Sequence, residues 1–330
     1  MKFGPVPVAQ AQGAILAHSL RLQSGVLKKG RVLEAGDLAK ITAEGVAEII
    51  VAQLAPTDVE ENAAAARLAA SIAPDPKAAY LRVADPFTGR VNLYAQSAGI
   101  MVIDTDAVHA LNRVNPLITL ATPRPYTRVA AGALVGTVKI ISYAVPEHDL
   151  NRACEAATTA LRLQPATLPD ATLILTDLPG APDNAKGEAA VASRLDALGV
   201  TLAETLRVPH ATKAVSEAIE RANGALILIL TASATSDPAD VAPLGLTAAG
   251  GALVHFGMPV DPGNLLFLGD YKSRPVIGLP GCARSPALNG ADWVMERVLC
   301  GIPVTSDDIA AMGVGGLLKE IKTRPQPREG

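Results

Sequence analysis

Aromatic side chains are scarce in this chain: 3% of it, with four phenylalanines, five tyrosines and one tryptophan. The core must therefore be built from Ala, Val, Leu and Ile, and an apolar content of 49% supplies them amply. Cysteine is as sparse. Cys154, Cys282 and Cys300 are odd in number, scattered and never in Cys-x-x-Cys spacing, so neither a zinc site nor a disulfide framework follows. No apolar run reaches the ~20 residues of a membrane span, and the start lacks the basic stretch and apolar core of a secretory signal. A cytoplasmic protein with no membrane partner is expected. Neither sign of charge is in excess: the net charge of −3 and a pI near 6.0 argue against a broad nucleic-acid face. Glycine-rich phosphate fingerprints are missing too, since Met312–Leu317 is rich in glycine but fits neither one. What the chain does have is length. At 330 residues it is too long for one small domain, and two or three are expected.

Punctuation along the chain divides it into 1–76, a mixed α/β segment; 77–147, a small β-rich domain of barrel type; 148–169, a helical linker; 170–312, an α/β domain; and 313–330, a tail whose end, from Lys322, is read as disordered. In the first segment a helix stops at Gly45, Val46–Val51 follows as a strand, and an Ala-rich helix, Val59 to Ile72, ends before Pro74-Asp75-Pro76. In the second, a helical insert at Asp106–Asn112 interrupts strand-like text, and Val135–Tyr143 reads as a buried strand. Arg90 and Lys139 could face a ligand, but single basic residues more often protect a sheet edge. Glu147–Leu161 reads as a helix.

From Ala171 a doubly wound, mostly parallel α/β pattern begins. Thr172–Thr176 and Thr201–Val208 read as strands, each followed by a helix, near Gly187–Leu198 and at Thr212–Ala222. Ala225–Leu230, the most apolar stretch, suits a central parallel strand covered on both faces. Ligands on such sheets bind beyond the carboxyl ends of the strands. Thr176-Asp177, Thr231–Asp240 and Pro280–Arg284 are all expected at those ends. After strand Val276–Leu279, Pro280-Gly281 opens the loop Cys282-Ala283-Arg284, and Ser285-Pro286 reads as the cap and first residue of a helix. A strand–loop–helix junction of this kind gathers backbone N–H groups and a positive helix end at one spot, which suits an anion. Arg284 adds a rigid fork of donors. The alternative is a tight turn with Arg284 in a surface ion pair. In Thr231–Asp240, the hydroxyls of Thr231, Ser233, Thr235 and Ser236 with the carboxylates of Asp237 and Asp240 suit a polar ring, or a magnesium ion beside phosphate. Ser236 or Asp237 can equally cap a following helix. Cys282 is a candidate reactive thiol, because a helix N-terminus and Arg284 would favour its thiolate. His255 could bond a ligand or be structural.

The wording Val260-x-Pro262-Gly263, a short strand, and Pro275-Val276-x-Gly278-Leu279-Pro280-Gly281 resembles the molybdopterin-binding domain of molybdenum-cofactor biosynthesis proteins (the MoaB/Mog and MoeA/gephyrin types). His255–Asn264 and Gly281–Pro286 resemble more closely the molybdopterin-binding half of fusions with a cytidylyltransferase-like domain. Lys29–Leu33 with Ala43–Val46 loosely resembles a passage of the molybdenum insertases. The resemblance implies a cofactor, molybdopterin or its molybdenum-loaded or nucleotide-linked form, with magnesium, and it implies a site. The ring or a metal would lie against Thr231, Ser233, Thr235, Ser236 and Asp237, with Asp240 as catalytic or metal-binding acid. The phosphate would lie against Pro262, Gly263, Asn264, Pro280, Gly281, Cys282, Arg284 and Ser285. Where the family carries Gly-Gly-x-Ser-x-Gly, this chain has Ala232-Ser233 and no later glycine, and Asn264 replaces a basic residue. The implied function is molybdopterin binding in cofactor biosynthesis or maturation, as a molybdenum transferase or as a non-catalytic carrier to a nucleotidyltransferase or apo-molybdoenzyme. Relatives self-associate, so a homo-oligomer is implied as well. The nucleotide loop of the fused domain is absent, so cytidylyl transfer by this chain alone is not expected.

Overall fold

Leu226–Leu230 is apolar at every position, and in the computed structural model, which describes residues 1–180 and 184–318, all five residues are buried in the middle of a six-stranded sheet. The chain divides into two compact units, Met1–Ser97 with Met101–Leu163, and Ala98–Ile100 with Gln164–Gly330. The protein is mixed α/β throughout, and no helix among the described residues is long and apolar enough to cross a membrane.

In the first unit, strands Lys2–Pro7, Glu48–Gln53 and Ile15–Leu16 form a three-stranded sheet with Glu48–Gln53 between the other two. Helix Ala35–Ala43 joins a core of Leu16, Leu33, Ile41, Ile49 and Val51. Beyond it lies a four-stranded antiparallel sheet in the order Ile118–Ala121, Leu134–Ile140, Arg90–Ala95, Leu81–Val83. This sheet is open, and its inner face packs with helices Glu61–Ile72, Thr105–Val114 and Glu147–Ala156 around Leu68, Leu93, Leu111, Val138 and Leu150. Three sequence expectations change here. The strand expected to be buried at Val135–Tyr143 runs Leu134–Ile140 and buries one face, leaving Thr137 and Lys139 on the other. Lys139 lies opposite Arg90 on the two inner strands, so neither protects an edge. The helix expected to reach Leu161 ends at Ala156, and Leu161–Gln164 becomes a strand.

The second unit holds the six-stranded sheet. Its elements are β1 (Asp170–Asp177), α1 (Ala185–Asp196), β2 (Thr201–Pro209), α2 (Thr212–Arg221), β3 (Leu226–Leu230), α3 (Val241–Ala248), β4 (Ala252–Phe256), β5 (Phe267–Tyr271), β6 (Arg274–Leu279), α4 (Gly290–Leu299) and α5 (Ser306–Ala311). The strand order is β2-β1-β3-β6-β5-β4. The first four strands are parallel, while β5 and β4 return antiparallel. From β1 the chain steps outward to β2 and then back past β1 to β3, so the direction of winding reverses between β1 and β3. That fork is where doubly wound sheets take ligands. The register makes it level: Leu175 pairs with Leu230, and Leu230 with Leu279, so Thr176, Thr231 and Pro280 emerge side by side. One face packs α2 and α3 onto Ile174, Ile227, Ile229 and Phe267. The sequence reading missed α5, although Thr305 and Asp308 cap its start reciprocally. The tail from 319 lies outside the described residues.

Candidate functional site

Arg284 holds the fork closed. It follows β6 in a short 3-10 turn, Gly281–Arg284, and its guanidinium reaches across the carboxyl ends of the parallel strands. One terminal nitrogen donates to the Thr231 carbonyl at the end of β3. Nε donates to Asn184 Oδ1 at 3.1 Å. Asn184, buried at the start of α1, donates in turn to the Thr176 carbonyl at 3.3 Å and to Asp177 Oδ1 at 3.1 Å, both at the end of β1. Gly187 allows this closeness, because a Cβ there would stand 3.0 Å from Leu230 Cδ2 and 3.2 Å from Arg284 Cγ. Burial draws the Arg284 pKa below the usual arginine value. Among the described residues no carboxylate pairs with it, so the surface ion pair is not what forms. Nη1 lies along Gly281, 3.6 Å from where a side chain there would begin.

The loop itself departs from expectation. Ser285 does not cap a helix: α4 begins five residues later, at Gly290, capped by Asn289, and Asp292 reciprocates by accepting from the Asn289 N–H at 2.8 Å. The competing start fails because Arg194, on α1, takes the Ser285 carbonyl at 2.6 Å and the Ala287 carbonyl at 3.1 Å, holding Ser285 extended. The positive helix end is therefore absent from the Pro280–Arg284 loop. Within it the Ala283 and Ser285 N–H groups are taken by the Pro280 and Cys282 carbonyls, so an anion there would meet Arg284 and the N–H groups that the turn leaves over. Cys282 is no activated thiol: burial pushes its pKa up, and the carboxylates of Asp292 and Asp261 add to the effect. Iodoacetamide at pH 8 is expected to label Cys282 in the folded protein more slowly than it labels glutathione, with the urea-unfolded chain as the fast control, read by mass spectrometry.

The Thr231–Asp240 loop divides by side chain. Thr231 and Thr235 are buried and turned to each other, their hydroxyls 3.2 Å apart, and Thr231 also donates to the Ser233 carbonyl at 2.6 Å. In this arrangement the two hydroxyls brace the loop. Ser233, Ser236 and Asp237 are exposed, with Asp237 accepting from the Ala239 N–H at 2.7 Å. The helix cap is Asp240, not Ser236 or Asp237. Its oxygens accept from the Val241 N–H at 2.7 Å and the Ser236 N–H at 3.1 Å. Among the described residues no three His, Cys, Asp or Glu side chains group as metal ligands would.

Pro262, Gly263 and Asn264 lie between β4 and β5, at the same end of the sheet, and the first two pack on the start of α4. The Gly290 N–H donates to the Pro262 carbonyl at 2.8 Å, and a Cβ on Gly263 would fall 2.5 Å from the Gly290 nitrogen. No hydrogen bond among the described residues joins these three to Arg284. His255 bonds Ser306 through Nδ1 at 2.9 Å, a structural role. The sequence reading passed over Asn184, His210 and Arg194. Arg194 carried a signal, since it falls on the buried stripe of α1 with Gly187, Ala190 and Val191.

Comparison with known proteins adds little to this geometry. A family model described as a domain of unknown function (DUF8806) matches residues 5–53. No curated protein matches the chain. Among solved structures, a molybdenum cofactor biosynthesis protein from Pyrococcus furiosus is similar at 12% identity and a TM-score of 0.27, covering 92% of this chain and 66% of that one. A molybdopterin biosynthesis MoeA protein from Pyrococcus horikosii is similar at 12% identity and a TM-score of 0.29, covering 93% of this chain and 75% of that one. This chain thus spans just under two thirds of the first structure's length.

Proposed function

We propose that the second unit binds a phosphorylated pterin of the molybdopterin class, in the biosynthesis or maturation of the molybdenum cofactor, with the phosphate held by Arg284 over Gly281. One observation carries the anion: a half-buried guanidinium at the winding reversal, bonded among the described residues only to neutral oxygens, with Nη1 along an exposed glycine. A buried cation without a counter-ion is costly, and a ligand phosphate supplies that charge. The pterin rests on the resemblance of Val260–Gly263 and Pro275–Gly281 to molybdopterin-binding domains. Calorimetry on the full chain with molybdopterin tests the reading. Arg284→Ala is expected to weaken binding about tenfold to a hundredfold, the worth of roughly 1.5–3 kcal/mol of charge-assisted hydrogen bonding. Unchanged affinity in that variant, or no binding by the wild type, sinks it.

Within this reading a carrier fits better than an independent molybdenum transferase. Ala232-Ser233 stands where the family has its glycine pair, so backbone cannot approach a ligand as closely there, and Asp240 accepts from the Val241 and Ser236 N–H groups as the cap of α3. The carrier would present the cofactor to a nucleotidyltransferase or an apo-molybdoenzyme. Molybdenum transfer that disappears in Asp240→Asn would favour the enzyme instead.

A further inference from the structure

Thr176 is fully buried at the end of β1, so its hydroxyl must find its partners inside the protein. It has two. The Ala232 N–H donates to it at 2.8 Å, and His210 Nδ1 lies 2.9 Å away. A backbone N–H can only donate, so the hydroxyl accepts there, and the one remaining acceptor for its own proton is Nδ1. Were Nδ1 to carry a hydrogen, the Thr176 proton would be left in the interior without an acceptor, a cost the other tautomer avoids. The neutral imidazole therefore carries its proton on Nε2.

His210 is fixed in place as firmly as in tautomer. It is the first residue after β2, and its N–H donates to the Asp177 carbonyl at 3.0 Å. Asp177 and Thr176 are also the two residues that Asn184 grips from the other side, and Asn184 accepts from Arg284. One chain of hydrogen bonds thus joins the imidazole, the end of β1, the start of α1 and the guanidinium. The ring is part-exposed, and no described residue bonds Nε2. The strand-end rim accordingly presents two donors of different kinds on one braced frame: a cation at Arg284 and a neutral N–H at His210.

We propose that His210 is a second ligand contact of this rim, its Nε2–H donating to an uncharged acceptor, a ring nitrogen or carbonyl oxygen, of the same molecule whose phosphate Arg284 takes, with Thr176 as the positioning residue. This rests on the function proposed above and narrows it. The ligand must carry a neutral acceptor as well as a phosphate, and a ligand offering only the anion satisfies one pole.

The test uses the full chain with histidine labelled in nitrogen-15 and long-range proton–nitrogen correlation. His210 is assigned among the five histidines by the signal lost in His210→Gln. The wild type is expected to show the Nε2–H tautomer, and Thr176→Val to lose that fixed state. In calorimetry, His210→Phe is expected to weaken molybdopterin about fivefold to tenfold, the worth of one neutral hydrogen bond, and to leave inorganic phosphate unaffected. His210→Gln, which places an amide N–H near the Nε2 position, restores most of that loss, whereas Arg284→Ala weakens both ligands. An Nδ1–H tautomer in the wild type overturns the proposal. So does molybdopterin affinity unchanged in His210→Phe, and so does an equal loss for both ligands, which would make the ring a structural prop. Those outcomes leave the Arg284 reading standing, while a wild type that takes no molybdopterin removes both.

Discussion

Arg194→Met is expected to cost about 3–5 kcal/mol of unfolding free energy, the effect of breaking a buried ion pair from one side. Arg194 Nε donates to Asp292, one terminal nitrogen to the Ala190 carbonyl at 3.1 Å and the Ala283 carbonyl at 2.9 Å, and the other to the Ser285 carbonyl at 2.6 Å and the Ala287 carbonyl at 3.1 Å. That uses every donor a guanidinium has. Methionine approximates the stem and removes all of it, leaving Asp292 charged with a side-chain exposure of 7% and the loop carbonyls without their donor. The second variant separates charge from hydrogen bonding. Asp292→Asn in the Arg194→Met background should recover part of the loss, because the stranded charge goes while an amide oxygen can still cap α4 at Asn289. Urea denaturation followed by circular dichroism reads both. Additivity of the two substitutions would mean that Arg194 acts through the carbonyls alone.

Arg194 also marks the border between what the amino-acid order reveals and what it hides. The alternation of apolar strands and amphipathic helices from Asp170 made a parallel sheet legible, and the unbroken Leu226–Leu230 run placed the central strand. Once the strand ends were located, the meeting of the loops after β1, β3 and β6 followed from register, and Arg284 with Gly281 stood at the junction as the text suggested. Where α4 begins was not legible. Ser285-Pro286 and Asn289-x-x-Asp292 are both good local start signals. The choice between them is made by a guanidinium ninety-one residues upstream of Ser285, a long-range hydrogen bond that no local rule weighs. That Thr231 and Thr235 turn inward was hidden for a related reason: composition marks a polar loop but does not say which side chains are buried. His210 carries no local signal: it directly follows a parallel strand, and only the sheet's register puts it on the same rim as the loops. In the first unit, the strand alternation was visible, but whether the sheet closes depends on edge pairing that spacing alone does not specify.

Gly278→Ala is expected to destabilise the second unit by about 1–3 kcal/mol or more, although it adds a single methyl group inside a strand that alanine's backbone preferences tolerate. The reason is the pairing of β5 with β6, which sets Gly278 directly opposite Phe267. The ring lies over the glycine so closely that a Cβ would stand 1.9 Å from Cε1 and 2.0 Å from Cδ1. Phe267 has no room to retreat. It is fully buried in a cluster with Ile229, Tyr271 and Val276, and it is one of only four phenylalanines in a chain short of aromatic volume. The glycine in Pro275-Val276-x-Gly278-Leu279-Pro280-Gly281 is thus a packing requirement, not a turn. The test is a double-mutant cycle. Phe267→Leu alone leaves a void and is destabilising, but in its presence the alanine methyl meets a smaller neighbour, so the pair should cost less than the sum by about 1 kcal/mol or more. Gly278 lies two residues before the Pro280 loop, so a displaced β6 also moves Arg284 relative to Asn184 and Thr231. On the proposed function, Gly278→Ala should therefore weaken molybdopterin as well as lower the urea midpoint, and Phe267→Leu should restore some of both. A Gly278→Ala protein as stable as the wild type would show that the β5–β6 contact can relax, and that this glycine is not needed for packing.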